Sequence, residues 1–258
     1  MNSIVLDVNE VRARYGKREI LTGVSLRVPA GEWFCLLGPN GVGKSSLLRC
    51  ISGGLALSGG DIRIANHSVL SDARAAKREL GYACAPETLP GLLTGEQCLE
   101  VYAQAKGLQT LEDDVLQLAT ALKFTPYLQR FVDTYSLGTR QKLCILLALL
   151  GAPQVIVLDE SLNGLDPSSA LVIKRYLQQR LSAGRCGVLL ATHSLDVVEH
   201  YADKAALLMD GRIVRQWDEA EIAKIRSESA GQAVSAMEAA LAAAAEQAQP
   251  VETRAPPR

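Results

Sequence analysis

The chain has 258 residues, 48% of them apolar, and a net charge of -1. That length suits one larger domain or a core with a subdomain, and the apolar share excludes a mostly disordered chain. The balanced charge provides no basic field and so gives no support to wholesale nucleic-acid binding.

In chain order, residues 4–15 and 20–28 read as strands around a Gly16-Lys17 turn. Residues 32–37 form a short apolar run, residues 38–43 a glycine-rich loop, and a helix begins near Lys44. Further strands are expected at 61–64, 80–84, 154–159, 187–191 and 205–209, with helical patterns between most of them. Such alternation implies an α/β fold with a mainly parallel sheet and helices on both faces. Residues 94–131 are rich in Leu, Ala, Gln and Glu and read as all-helical, a subdomain inserted between core strands.

The tail from Ser227 is rich in Ala, Glu and Gln, which favour helix. Val234, Met237 and Leu241 form a thin apolar stripe at helical spacing, ended by Pro250, Pro256 and Pro257. The plain reading is a loosely held terminal helix; the sharper one is a docking helix for a partner. The longest apolar stretch, 143–152, stops at Pro153, short of the about 20 residues a membrane-spanning helix needs. The first eight residues do not make a signal peptide. The chain is therefore expected to be soluble by itself, with membrane attachment coming through a partner. The six cysteines (Cys35, Cys50, Cys84, Cys98, Cys144 and Cys186) are far apart and show no metal-binding spacing, so they read as buried, reduced thiols of a cytosolic protein.

The chemistry begins at Gly38-Pro39-Asn40-Gly41-Val42-Gly43-Lys44-Ser45-Ser46, which matches the Walker A loop. Its glycines let backbone N–H groups turn inward around phosphate oxygens, and the following helix points its positive end at the same anion. Lys44 would reach the β- and γ-phosphates, the Ser45 hydroxyl would bind Mg²⁺, and Ser46 is placed for the α-phosphate. More than a hundred residues later, Gln154 to Asp159 reads Gln-Val-Ile-Val-Leu-Asp, followed by Glu160, the Walker B pattern. Asp159 would hold Mg²⁺ and Glu160 would polarise the attacking water. Phosphoryl transfer needs a metal, charge neutralisation and an oriented nucleophile more than covalent help.

With these motifs the chain resembles the ABC ATPase family over about residues 4–220. Tyr135-Ser136-Leu137-Gly138 is similar to its signature motif in a YSLG form. Residues 161–166 resemble the D-loop, and Ala191-Thr192-His193-Ser194 resembles the switch-histidine loop. Tyr15 falls where the family places an aromatic that stacks on adenine, and residues 209–213 resemble its last β-hairpin. A signature helix is expected from about Arg140 to Leu150. The resemblance implies a P-loop NTPase (RecA-like) core with an N-terminal antiparallel β region and an inserted α-helical subdomain. Its ATPase domain would span residues 1–226, with core segments 1–88 and 136–226, a helical subdomain at 89–135 and a tail at 227–258. It also implies ATP and Mg²⁺ as ligands. Catalytic roles fall to Glu160, His193 and Lys44, and Ser136 and the Gly138 backbone would meet the γ-phosphate held by a second ATP-binding subunit in a head-to-tail dimer.

The further implication is a transporter motor, export rather than import, working through separate membrane-spanning subunits on the cytoplasmic face of the membrane. An ATPase acting on nucleic acid or the ribosome is the alternative, and the coiled-coil inserts, zinc modules and tandem domains common in such relatives are not seen. Departures from the pattern bear on a third reading, a slow or degenerate nucleotide-binding regulator. Counting from Gly81-Tyr82, the family's Q-loop Gln falls at Ala85, with Glu87 displaced by two positions; Ser161 replaces a Pro and Leu137 a Gly.

Overall fold

The computed structural model describes residues 3–193, 195–229, 237–239 and 241–243. The elements follow one another as β1 (Ile4–Tyr15), β2 (Arg18–Pro29), β3 (Trp33–Leu37), α1 (Lys44–Ile51), β4 (Leu57–Ile64), β5 (His67–Ser68), α2 (Ala73–Arg78) and β6 (Leu80–Ala83). Next come α3 (Gly95–Lys106), α4 (Asp113–Ala121), α5 (Leu137–Leu149), β7 (Val155–Asp159), α6 (Pro167–Ser182), β8 (Gly187–Ala191), α7 (Leu195–Tyr201), β9 (Lys204–Met209), β10 (Arg212–Trp217) and α8 (Glu219–Ser229).

The larger sheet runs β10-β9-β3-β8-β7-β6, parallel from β9 to β6 with an antiparallel β10 at one edge. The smaller sheet, β2-β1-β4-β5, is antiparallel. The fold is therefore the α/β class with an antiparallel N-terminal region that the sequence implies. Strand periodicity explains the layering. Trp33, Cys35 and Leu37 join one apolar core, under α5, α6 and the inserted helices. Phe34 and Leu36 join another, with α1 and the small sheet. Buried on both faces, β3, β7 and β8 read as continuous apolar runs, as central parallel strands do.

Several boundaries differ from the sequence reading. The second strand starts at Arg18, and β4 starts at Leu57 rather than at 61, because Gly59 and Gly60 sit inside the ladder with β1. Gly60 has φ +79°, and a Cβ there would collide with the Asn9 and Glu10 carbonyls of the irregular β1, so glycine is the condition for pairing. β6 ends at Ala83, leaving Cys84 in the connection beyond it. The 94–131 stretch divides into α3, α4 and a short 3₁₀ turn at Thr125–Tyr127. Thr94 and Gln97 form a reciprocal capping box at the start of α3, and Gly107, at φ +83°, ends it.

The signature helix, α5, starts at Leu137, three residues before the expected Arg140. Ser136 takes the cap position itself and draws Leu137 and Gly138 into the first turn. In the tail, Met237 is fully buried and Leu241 half-buried against the core, and the Met237 N–H meets Glu199 Oε1 at 3.3 Å. Val234, Pro250, Pro256 and Pro257 lie outside the described residues, as does Ser194 of the histidine loop. No helix among the described residues is long and apolar enough to cross a membrane.

The edge strand β6 lies against α5 with its backbone. A Cβ on Gly81 would drive into the Ala148 carbonyl, and Pro153 Cγ stands 2.8 Å away. A Gly81→Ala variant is expected to lose about 3 kcal/mol of stability, a fall in Tm of roughly 6–12 °C. Thermal denaturation followed by circular dichroism checks this against Gly54→Ala, where an added Cβ meets nothing closer than 3.6 Å and little change is expected.

Candidate functional site

The parallel strands deliver their C-terminal ends to one edge of the sheet, and β3 sits between β8 and β9, where the direction of winding reverses. Ligands of open α/β sheets bind at such a point. Here it gathers the loop after β3, the acid at the end of β7 and the histidine just beyond β8.

The loop after β3 has the conformation that its glycines permit. Gly38, Gly41 and Gly43 have φ of +151°, +82° and +113°, and a Cβ on Gly38 would strike the Leu208 carbonyl. Gly43 occupies the cap position of α1 and supplies no side-chain cap, and the first turn holds no acidic residue. The helix thus offers uncompensated N–H groups and the positive end of its dipole, the pattern of an anion seat. Asn40, Gly41 and Ser45 are exposed, Val42 and Ser46 half-buried.

Lys44 is only 5% exposed. Its Nζ donates to the Gly38 and Pro39 carbonyls at 2.6 and 3.0 Å, which folds the ammonium back over the loop. Burial holds its pKa below the ordinary lysine range, and the negative charges of Glu160 and Asp159 oppose that fall. Asp159 moves the other way. Burial raises its carboxyl, the Ser45 hydroxyl donating to it lowers it, Glu160 raises it and Lys44 lowers it again. Lys44, Ser45, Asp159 and Glu160 therefore form one electrostatic group, although 115 residues separate Lys44 from Asp159.

Glu160 is fixed by its backbone. Its N–H donates to Ala191 O at 2.9 Å, and Asn163 N–H donates to its carbonyl at the same distance. Its φ is +49°, an unusual position for a residue with a long side chain. Backbone strain of this kind clusters at functional sites. His193 Nδ1 lies 3.1 Å from Glu160 Oε1. An ionised carboxylate can only accept, so Nδ1 carries the proton in that pair. Ser161, where the family has a Pro, is 1% exposed and donates from its hydroxyl to Asp159 O at 3.3 Å.

The signature residues stand apart from this group. Among the described residues, no hydrogen bond or ion pair joins Ser136 or Gly138 to the loop 38–46. Ser136 Oγ accepts from the Thr139 N–H at 3.2 Å as the cap of α5. Leu137 is 59% exposed. Gly138 faces the Gly164 carbonyl, with room for an added Cβ only at 3.2 Å. Tyr15, 43% exposed, contacts α1: its hydroxyl accepts from Arg49 at 3.3 Å, and the guanidinium lies 5.9 Å from its ring centre.

Lys142 and Asp166 tie these parts together through a pairing that motif reading did not foresee. Lys142 bonds the Leu122 carbonyl at 3.0 Å and pairs with Asp166 at 3.3 Å, joining α5 to the end of the D-loop. Asp166 also caps α6, accepting from Ser169 N–H at 2.9 Å. The Asp-Pro start of α6 is legible as a cap, but nothing local in sequence announces its pairing with Lys142. A cleft of about 420 Å³ flanks the loop at Pro39 and His193, and Leu241 of the tail lines its far wall.

The profile of the family described as ABC transporter matches residues 21–163. The chain is 37% identical over 191 residues to ATP-binding cassette sub-family A member 7 of Mus musculus, covering 72% of this chain and 9% of that protein. It thus spans less than a tenth of that relative's length. It is 31% identical to the Nod factor export ATP-binding protein I of Rhizobium etli, over 82% of this chain and 67% of that one. A solved structure described as the ATP-binding subunit of an ABC transporter superposes with a TM-score of 0.80 at 27% identity, over 92% of this chain and 98% of its own.

The strain at Glu160 gives a test. Asn tolerates the left-handed region better than a longer side chain, so Glu160→Asn is expected to be more stable than Glu160→Gln by about 0.5–1 kcal/mol, read as the difference in urea midpoint. Ser136→Ala is expected to cost about 1 kcal/mol through the lost cap in the same measurement.

Proposed function

Because the chain belongs to the ABC transporter family as one of its ATP-binding domains, we propose that it binds and hydrolyses ATP to drive transport through separate membrane-spanning subunits. The observation that carries the reading is the convergence of Lys44, Ser45, Asp159, Glu160 and His193 at one end of the parallel sheet.

In this reading the loop N–H groups and the first turn of α1 receive the phosphates. Lys44 exchanges its loop carbonyls for β- and γ-phosphate oxygens, a stronger, charge-assisted bond. The donor set suits Mg²⁺: the Ser45 hydroxyl and the Asp159 carboxylate are hard oxygen ligands, near enough that Ser45 lowers the Asp159 pKa. Bound there, the ion would neutralise charge on the phosphate oxygens. Glu160 then accepts a proton from the attacking water, with His193 holding one carboxylate oxygen so that the other faces the nucleophile. Tyr15 supplies an aromatic face for the adenine, and Ser46 a contact to the α-phosphate.

Ser136 and Gly138 enter through a second subunit. They lie at an exposed helix start, beside the exposed Leu137 and away from their own chain's loop, so a second copy or a paralogue brings its loop to them. The membrane partner docks on the inserted helices. Leu92 and Phe131, 85% and 56% exposed, lie on segments paired through Thr94 and Phe131, and apolar side chains exposed together mark an interaction surface. The export direction rests on the YSLG form of the signature and on the similarity to a relative named for export. Ala85 removes the polar group expected at the coupling loop, and Glu87, exposed on the short turn Pro86–Thr88, is the carboxylate nearest in sequence.

Phosphate release by the purified chain tests the ATPase. Glu160→Gln is expected to lower turnover by about 100-fold or more while ATP binding persists. Lys44→Ala is expected to weaken ATP binding by about 10- to 100-fold. Normal turnover in Glu160→Gln removes Glu160 from its role. Purification from detergent-solubilised membranes is expected to yield a membrane-spanning partner; a partner-free protein that binds RNA or DNA contradicts the transport reading.

A further inference from the structure

Cys84 and Cys144, separated by 60 residues of sequence, place their sulfurs 3.6 Å apart. Both are free thiols. The frame that holds them is tight: Cys84 follows β6, and three residues earlier the Gly81 backbone is pressed against the Ala148 carbonyl of α5, one turn beyond Cys144. The sulfurs therefore face each other across two tightly packed segments, about 1.5 Å beyond disulfide bonding distance.

The two thiols are unlike. Cys84 is half-buried, whereas Cys144 is fully buried. The hydrogen bond with Cys144 holds the Cys84 thiol down to about 7, against burial and with help from Thr88. The same contact, with burial, pushes Cys144 well up. A partly exposed thiol of lowered pKa beside a fully buried one is the arrangement of an attacking and a resolving cysteine.

We propose that Cys84 and Cys144 form a reversible dithiol–disulfide site whose oxidant is a low-molecular-weight disulfide such as oxidised glutathione. The Cys84 thiolate bonds to one glutathione sulfur as the glutathione S–S bond breaks, and the first glutathione leaves as its thiol. Cys144 then attacks the Cys84 sulfur, and the second glutathione leaves. Two protein thiols are oxidised, one disulfide is reduced to two thiols, and the two thiol protons end on the glutathiones. The new bond ties the connection at residues 84–89, which leads from the core sheet to the inserted helices, to the middle of α5, about two turns beyond its Ser136 cap. Neither the site nor its test depends on ATP hydrolysis.

The test treats the full-length chain with oxidised glutathione, alkylates the remaining thiols and maps the peptides. The expected product is a Cys84–Cys144 crosslink that dithiothreitol reverses, with a rise in Tm on the order of 5–10 °C for closing a loop of this length. Cys98→Ser, which alters another thiol of this core, is expected to crosslink as the parent does. Cys144→Ser is expected to stop at a glutathione adduct on Cys84. The parent chain decides the matter even if a variant misfolds. Stable glutathione on Cys84 of the parent, a crosslink through Cys98, or no loss of thiols at Cys84 overturns the proposal.

Discussion

Lys44 stands at the start of α1 with 5% of the residue exposed, and a cation in that position needs compensation from its surroundings. It receives carbonyl oxygens from Gly38 and Pro39 and negative potential from Asp159 and Glu160. The carbonyls are available because glycine lets the loop turn through positive φ. The carboxylates are available because β3, β8 and β7 run parallel and end at the same edge. Sheet order, loop composition and the position of the acids thus all serve the placing of one charge, and the same arrangement leaves the first-turn N–H groups of α1 open to an anion.

The helix α5 connects that edge to the rest of the molecule. Its first turn is capped by Ser136 and lies beside Gly164, and Lys142 reaches both the end of α4 and Asp166. Its second half packs on β6 at Gly81 and on the connection beyond β6 at Cys84. A displacement of the inserted helices therefore reaches the D-loop and β6 through direct contacts. Since Asp166 caps α6 while pairing with Lys142, movement of α5 also bears on the segment that follows Glu160.

What the sequence made legible was whatever short-range chemistry encodes. The glycine-rich loop, the apolar strands β3, β7 and β8, and the acids at the end of β7 are each specified within a few residues, and their order along the chain indicated both the fold class and the group at the sheet edge. Boundaries failed where tertiary contacts override local preference. A strand was expected at 61–64, yet β4 extends back through Gly59 and Gly60, where the irregular β1 leaves no room for a Cβ on Gly60. The start of α5 was expected at about Arg140 and lies at Leu137, because Ser136 takes the cap position. Contacts between distant segments left no local trace: Cys84 with Cys144 and Lys142 with Asp166 arise from the meeting of β6, α5 and the D-loop. The stripe of the tail was legible at Met237, which is buried, while Val234 lies outside the described residues.

The central claim is that the loop from Gly38 to Ser46 is the seat of a nucleotide's phosphates and that Lys44 is their principal cation. A crystal structure with Mg²⁺ and a non-hydrolysable ATP analogue tests this most directly. The account predicts that Lys44 Nζ leaves the Gly38 and Pro39 carbonyls for the β- and γ-phosphate oxygens, with the metal beside Ser45 and Asp159. An analogue bound elsewhere, with Lys44 still on those two carbonyls, would contradict it.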